Sequence, residues 1–118
     1  MPQSIPKAAV LLEAAVKYLE TELMPTLEGY HRFQTRVTVN VLNTVRRELE
    51  LHSAQADAEC ARLAAMLGHD GDVEALSLEL AERIRTGAIS IDDPALRAHV
   101  RQSLADALTI NNPKWLTR

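Results

Sequence analysis

TGAISIDDP, residues 86–94, contains the clearest helix boundary in this chain of 118 residues. Gly87 follows a segment with apolar residues at helical spacing, and glycine there accommodates the left-handed backbone that often ends a helix. Asp92 and Asp93 precede Pro94, so a side-chain cap, a favourable charge at the helix start and a fixed backbone angle coincide. The stretch therefore predicts that one helix ends at Gly87 and that the next starts at Pro94.

The same kind of boundary recurs along the chain, because all four glycines and three of the five prolines lie between apolar-periodic segments. Ser4 is placed to cap the first helix, and Asp72 is placed to cap the fourth. We therefore expect an all-α, single-domain bundle of about five helices over residues 1–118. The predicted helices span residues 6–24, 30–51, 54–67, 73–86 and 94–110, with breaks marked by Pro25, Gly29, Gly68, Gly71, Gly87, Pro94 and Pro113.

The second predicted helix carries the widest apolar arc, which covers more than a third of its circumference. This width predicts that the helix lies centrally in the bundle. Ile89 and Ile91 are expected to pack inward from a loop, and Cys60 is expected to be a buried, inert thiol on the third helix. The arc of the second helix comprises Phe33, Val37, Val41, Leu42, Val45 and Leu49.

Composition excludes several functional classes. Hydrophobic residues make up 47% of the chain and aromatic residues only 3%, which favours an aliphatic core between closely packed helices. A net charge of −3 disfavours nucleic acid as a partner. The single cysteine permits no internal disulfide, which fits a cytoplasmic protein. Glu13 and Lys17 interrupt the N-terminal apolar run, so it is expected to be a soluble helix rather than a membrane span.

No stretch between the breaks contains a recognisable catalytic motif, so we expect a protein that is not an enzyme. Glu28-x-x-His31 is the one Glu-x-x-His pair, and a di-iron bundle requires two. Asp70-Gly71-Asp72 lacks the spacing of a calcium loop and is expected to be a solvated turn. Glu48 and His52 could form an acid–base pair but are better explained as a surface helix pair. We expect neither a metal nor a cofactor.

A polar stripe on the second predicted helix is the first candidate binding site. Arg36, Asn40, Asn43 and Arg47 recur at steps of four, three and four residues, so they align along one side of the helix. Two guanidiniums that flank two carboxamides could bind a carboxylate, a phosphate or an acidic partner helix. The alternative is an ordinary solvated face in which the arginines pair with local acids.

The C-terminal stretch Asn111-Asn112-Pro113-Lys114-Trp115-Leu116 is the second candidate binding site, and it contains the only tryptophan. Pro113 ends the last helix and leaves Lys114 and Trp115 in a tail. A buried Trp115 would cap the core, whereas an exposed one would mark a protein interface.

Three segments of the chain belong together. They are Phe33-x-x-Arg36-Val37-x-x-Asn40-x-Leu42-x-x-Val45-Arg46-Arg47-Glu48-Leu49, the Asp93-Pro94 helix start, and the closing Asn112-Pro113-Lys114-Trp115-Leu116. Together they resemble a bacterial family of small, all-helical proteins of unknown function. The resemblance implies an association with proteins similar to aminoglycoside phosphotransferases and with acyl-CoA metabolism. It transfers no active-site residues.

These observations favour a non-enzymatic, self-associating interaction module. We expect it to dock on a phosphotransferase-like partner through the second helix or the Trp115 tail. The alternative is a small-molecule binder that holds a phosphorylated or acyl-CoA-type anion along the polar stripe.

Overall fold

The computed structural model describes residues 7–117, and the regular elements within that range are all helical. This confirms the all-α class, with four α-helices among the described residues instead of about five. The helices are α1 (Ala8–Tyr18), α2 (Gly29–Leu67), α3 (Val73–Thr86) and α4 (Pro94–Asn111).

The predicted break between residues 51 and 54 is wrong, since α2 runs without interruption through this segment. His52 and Ser53 both have ordinary backbones with an amide donor, and each costs a helix less than about 1 kcal/mol relative to alanine. No glycine or proline occurs between Gly29 and Gly68. The two polar residues His52 and Ser53 are therefore not sufficient to end the helix.

The first predicted helix continues to Met24 in a changed geometry. A π-helical turn (Leu19–Leu23) and a 3₁₀ turn (Met24–Thr26) follow α1, and Pro25 lies inside the second of these turns. The predicted cap at Ser4 and the start near Pro6 lie outside the described residues.

The predicted ends of α2 and α3 are confirmed by left-handed glycines. Gly68 has a φ of +84° and Gly87 a φ of +82°, a region that side chains with a Cβ rarely adopt. Each glycine directly follows the last residue of its helix. Both positions are therefore helix terminators of the kind that the sequence indicated.

The two predicted aspartate caps are also confirmed. Asp72 Oδ1 accepts a hydrogen bond of 2.8 Å from the amide three residues ahead at the start of α3. Asp93 Oδ1 accepts hydrogen bonds of 2.8 and 3.1 Å from the amides two and three residues ahead in α4. Because the first amides of a helix have no intrahelical acceptor, these carboxylates fix where α3 and α4 begin.

Backbone contacts divide the chain into two compact units that meet in sequence at the His52–Ser53 junction. In the N-terminal unit, Val16, Met24 and Val39 form a buried cluster, against which Leu19 and Leu42 pack. The assignment of the chain to a single domain stays a prediction.

The C-terminal unit has a larger core built from three helices. Its buried apolar side chains are all leucines, and Ile84 and Ile89 pack against them. Cys60, expected to be buried, also packs there but is only partly buried. This aliphatic core agrees with the composition. The leucines are Leu63 and Leu67 of α2, Leu76 and Leu80 of α3, and Leu96 of α4.

Two packing predictions are wrong. The apolar arc of the second predicted helix is mainly exposed, and Val39 on another side of α2 is buried in its place. In the N-terminal unit α1 and its turns cover the Val39 side, and two helical segments can each bury only one face against the other. Ile89 packs inward as expected, but Ile91 is exposed.

Candidate functional site

The polar stripe (Arg36, Asn40, Asn43 and Arg47) lies along α2 in the N-terminal unit. Arg36 and Asn40 are exposed, whereas Asn43 and Arg47 are half-buried. Asn43 Oδ1 accepts hydrogen bonds from Arg46 Nε at 3.4 Å and Nη2 at 3.3 Å. The structure thus places the four side chains on one side of the helix. The Asn43 oxygen, however, already accepts hydrogen bonds from Arg46, which is outside the stripe.

The C-terminal tail forms a 3₁₀ turn, Pro113–Thr117, and Lys114 and Trp115 are both exposed. The Trp115 side chain is 56% exposed, so it does not cap the core. Leu116 lines a cavity of about 580 Å³ together with Val100 and Leu104 of α4. The leucine that follows the tryptophan therefore lies beside apolar side chains of α4.

An apolar ridge is the most prominent surface feature of the N-terminal unit. We give this name to Phe33, Val37, Val41, Val45 and Leu49, which recur every four residues along α2 and are 40–63% exposed. Soluble monomers rarely expose contiguous apolar patches larger than a few hundred Å², and such patches commonly mark interaction sites. At its C-terminal end the ridge borders a cavity of about 500 Å³.

A groove between the C-terminal part of α2 and α4 contains polar groups that the sequence analysis missed. We call this cavity of about 670 Å³ the α2/α4 groove. Arg62 lies at its centre: Nε donates to His99 Nδ1 at 3.1 Å, and Nη2 donates to Ser103 Oγ at 3.3 Å. Nη2 is also 4.0 Å from Asp106 Oδ2. The groove therefore brings a guanidinium, an imidazole and a carboxylate together, and the Ser103 hydroxyl holds the guanidinium from outside its lining.

Burial determines the protonation state of His99, which is only 7% exposed. Burial lowers the pKa of His99 from its ordinary value near 6.5, the neighbouring Arg62 lowers it further, and Glu59 opposes the change. Because Nδ1 accepts the hydrogen bond from Arg62, the imidazole proton resides on Nε2. The groove is thus lined by a neutral histidine that can donate from Nε2.

Another histidine, His69, lies at the surface between α2 and α3. His69 Nε2 is 2.7 Å from Glu79 Oε1, and Glu79 Oε2 accepts from Arg83 Nη2 at 2.7 Å. The backbone of Asp70 and the Glu79 carboxylate raise the pKa of His69. This cluster connects the predicted polar turn to α3 and favours a charged histidine.

A family model matches residues 25–115, which is most of the chain, and its description is a domain of unknown function, DUF6285. The chain belongs to the DUF6285 family. The matched range of this DUF6285 domain includes α2, α3 and α4, whereas α1 precedes it. The match confirms a family of unknown function, and its description names neither a phosphotransferase nor a source. No curated protein and no solved structure matches the chain significantly.

The described part of the DUF6285 domain gives no indication of catalysis or metal binding. Within residues 7–117, no three His, Cys, Asp or Glu side chains are grouped so that they could hold a metal ion. None of the helices in that range is both long and apolar enough to span a bilayer.

His99 and His69 of this DUF6285 domain should give opposite pH dependences. The lowered pKa of His99 provides stability at high pH, which is lost as the pH falls below about 6.5 and through the folded-state pKa. The raised pKa of His69 provides stability at low pH, which is lost as the pH rises through its folded-state pKa. Melting temperatures of His99→Gln and His69→Gln, measured from about pH 5 to pH 8 around the histidine range, separate the two effects.

His99→Gln should lose less stability than wild type on acidification, and His69→Gln should lose more. The exposed His52 supplies the matched control, His52→Gln. Identical profiles for His99→Gln and His52→Gln would show that burial of the imidazole does not control the pH dependence.

Proposed function

We propose that this DUF6285 domain is a protein-interaction module that pairs with a second copy of itself through the apolar ridge. The exposure of five apolar side chains at a constant spacing carries this proposal. Burial of such a surface between two proteins removes apolar area from water, which is the main favourable term in association.

The spacing of the ridge favours another helix as its partner. Side chains four residues apart form a row along a helix surface, and such a row packs into the grooves between the corresponding rows of another helix. Tyr30, one turn before Phe33, is also exposed and extends the apolar surface toward the start of α2.

The order of side-chain sizes favours a second copy. A large residue stands at each end of the ridge, Phe33 and Leu49, and the three positions between them are all valine. In an antiparallel, two-fold pair centred on Val41, Val37 would meet the partner's Val45, and Phe33 and Leu49 would flank the contact at its two ends. A symmetric contact requires a self-complementary surface, and this order provides one.

Val41→Asp tests the pairing, because it places a charge at the centre of the ridge. We expect wild type to be a dimer and Val41→Asp to be a monomer by analytical ultracentrifugation over a broad range of concentrations. Burial of an unpaired carboxylate in an apolar contact is strongly unfavourable. Asn40→Asp is the matched control, since it introduces the same residue at a neighbouring exposed position off the ridge, and it should remain a dimer.

A wild-type protein that stays monomeric throughout that range would refute self-association. A Val41→Asp variant that dimerises as well as Asn40→Asp would assign the interface to another surface. Circular dichroism should show equal helicity in both variants, because each changes an exposed side chain.

The phosphotransferase-like partner implied by the motif resemblance is a separate proposal. Co-expression with such a protein tests it, and the Val41→Asp variant shows whether that partner uses the same ridge. Binding of a small anion along the polar stripe is tested by Arg36→Ala with Arg47→Ala, which should abolish any thermal stabilisation by phosphate-bearing ligands.

A further inference from the structure

The α2/α4 groove combines small apolar walls with a polar centre. Five of the eleven residues that line it are alanines, which leave room between the two helices. Cavities of a few hundred Å³ with apolar walls and a few converging polar groups are the usual form of a small-molecule site. The wall residues are Ala54, Ala58 and Ala65 of α2, with Ala95 and Ala98 of α4.

Two hydrogen-bond donors in the groove have unused capacity. His99 Nε2 and Arg62 Nη1 make no hydrogen bond with any residue that the structure describes. Every buried side-chain nitrogen and oxygen in the described residues has a partner, so His99 Nε2 must be accessible. His99 lines the groove on a residue that is more than nine-tenths buried, which makes its Nε2 the candidate donor to a ligand there.

The positive charge of Arg62 indicates which hydrogen-bond acceptor a ligand in the groove should carry. Both hydrogen-bond partners of its half-buried guanidinium, His99 and Ser103, are neutral. The Asp106 carboxylate is at 4.0 Å, and its other oxygen accepts from Gln102 Nε2 at 2.8 Å. The Arg62–Asp106 ion pair is therefore a long one, and the guanidinium retains hydrogen-bonding capacity for an anionic oxygen. With Asp106 and Glu59 nearby, a single negative charge is better tolerated than the double charge of a phosphate.

We propose that the α2/α4 groove binds a small monocarboxylate with an apolar substituent. Its carboxylate accepts hydrogen bonds from Arg62 Nη1 and His99 Nε2, and its substituent lies against the alanine walls. This site belongs to the C-terminal unit, and it is independent of self-association through the apolar ridge.

The test uses hexanoate and its neutral counterpart hexanamide, titrated into the full chain and followed by NMR. We expect hexanoate to bind and to shift the imidazole resonances of His99, acetate to bind more weakly, and hexanamide to bind at least about tenfold more weakly than hexanoate. Arg62→Gln should weaken hexanoate binding about tenfold to a hundredfold, the range for hydrogen bonds to a charged group.

Two further variants complete the test. Ala98→Leu fills the groove without changing its polar centre, so it should abolish binding even if Arg62→Gln proves unstable. Arg101→Gln removes an exposed arginine of α4 that does not line this groove, and it should bind hexanoate as wild type does. The proposal is overturned if hexanoate fails to bind, if Ala98→Leu binds it unchanged, or if hexanamide binds equally well.

Discussion

Leu63→Ala is expected to lower the free energy of unfolding by about 2–5 kcal/mol, the range for removing a large aliphatic side chain from a core. Leu63 is 0% exposed and belongs to the leucine cluster shared by α2, α3 and α4. Its truncation removes apolar contacts and leaves a cavity that neighbouring leucines fill only in part. Urea unfolding followed by circular dichroism measures the change, which should move the midpoint without altering the slope.

Leu78→Ala is the matched control for Leu63→Ala. Leu78 lies on α3 but is mainly exposed, so the same truncation should change the free energy of unfolding by less than about 0.5 kcal/mol. Equal losses in the two variants would contradict the assignment of Leu63 to the core.

Ser53→Pro is expected to cost about 3 kcal/mol or more, because α2 is continuous through this position. Proline removes the amide donor of residue 53 and its ring clashes with the carbonyl of Leu49, one turn earlier. We expect a lower melting temperature and a loss of helical signal in circular dichroism.

Ser53→Ala separates the effect of proline from the loss of the serine hydroxyl. Alanine is the better helix former, so this variant should be as stable as wild type or slightly more stable. If Ser53→Pro and Ser53→Ala unfolded at the same temperature, the result would contradict a continuous α2. It would support the break between two helices that the sequence predicted at this point.

Local signals accounted for most of the correctly predicted fold. Asp72 and Asp93 cap helices through hydrogen bonds to amides two or three residues away, and Gly68 and Gly87 end them through their own backbone angles. These interactions need no distant part of the chain. Sequence alone therefore located both ends of α3 and the junctions on either side of it.

The exposed face of α2 could not be predicted in the same way. Periodicity identifies an apolar arc, but it does not say whether the same chain or another molecule covers that arc. Phe33 and Val41 were expected inside the bundle, yet Val39 is the buried residue of this segment. The outcome depends on where α1 packs, which is a tertiary property.

The α2/α4 groove was missed because its groups are distant in sequence. Arg62 and His99 are 37 residues apart, and no local motif connects them. One signal was present: His99, Ser103 and Asp106 lie at steps of four and three residues, so they share one face of a helix rich in alanine. Three polar residues on one such face would have been a reason to place a site there.

Cys60 gives this chain a built-in chemical reporter. Its thiol donates to the carbonyl oxygen of Gly71 at 3.2 Å, and its side chain packs against the leucine core. Because no other cysteine is present, any alkylating reagent that consumes thiol modifies this one position. The rate of that reaction therefore reports how accessible the thiol is beside the turn between α2 and α3, without any substitution or attached label.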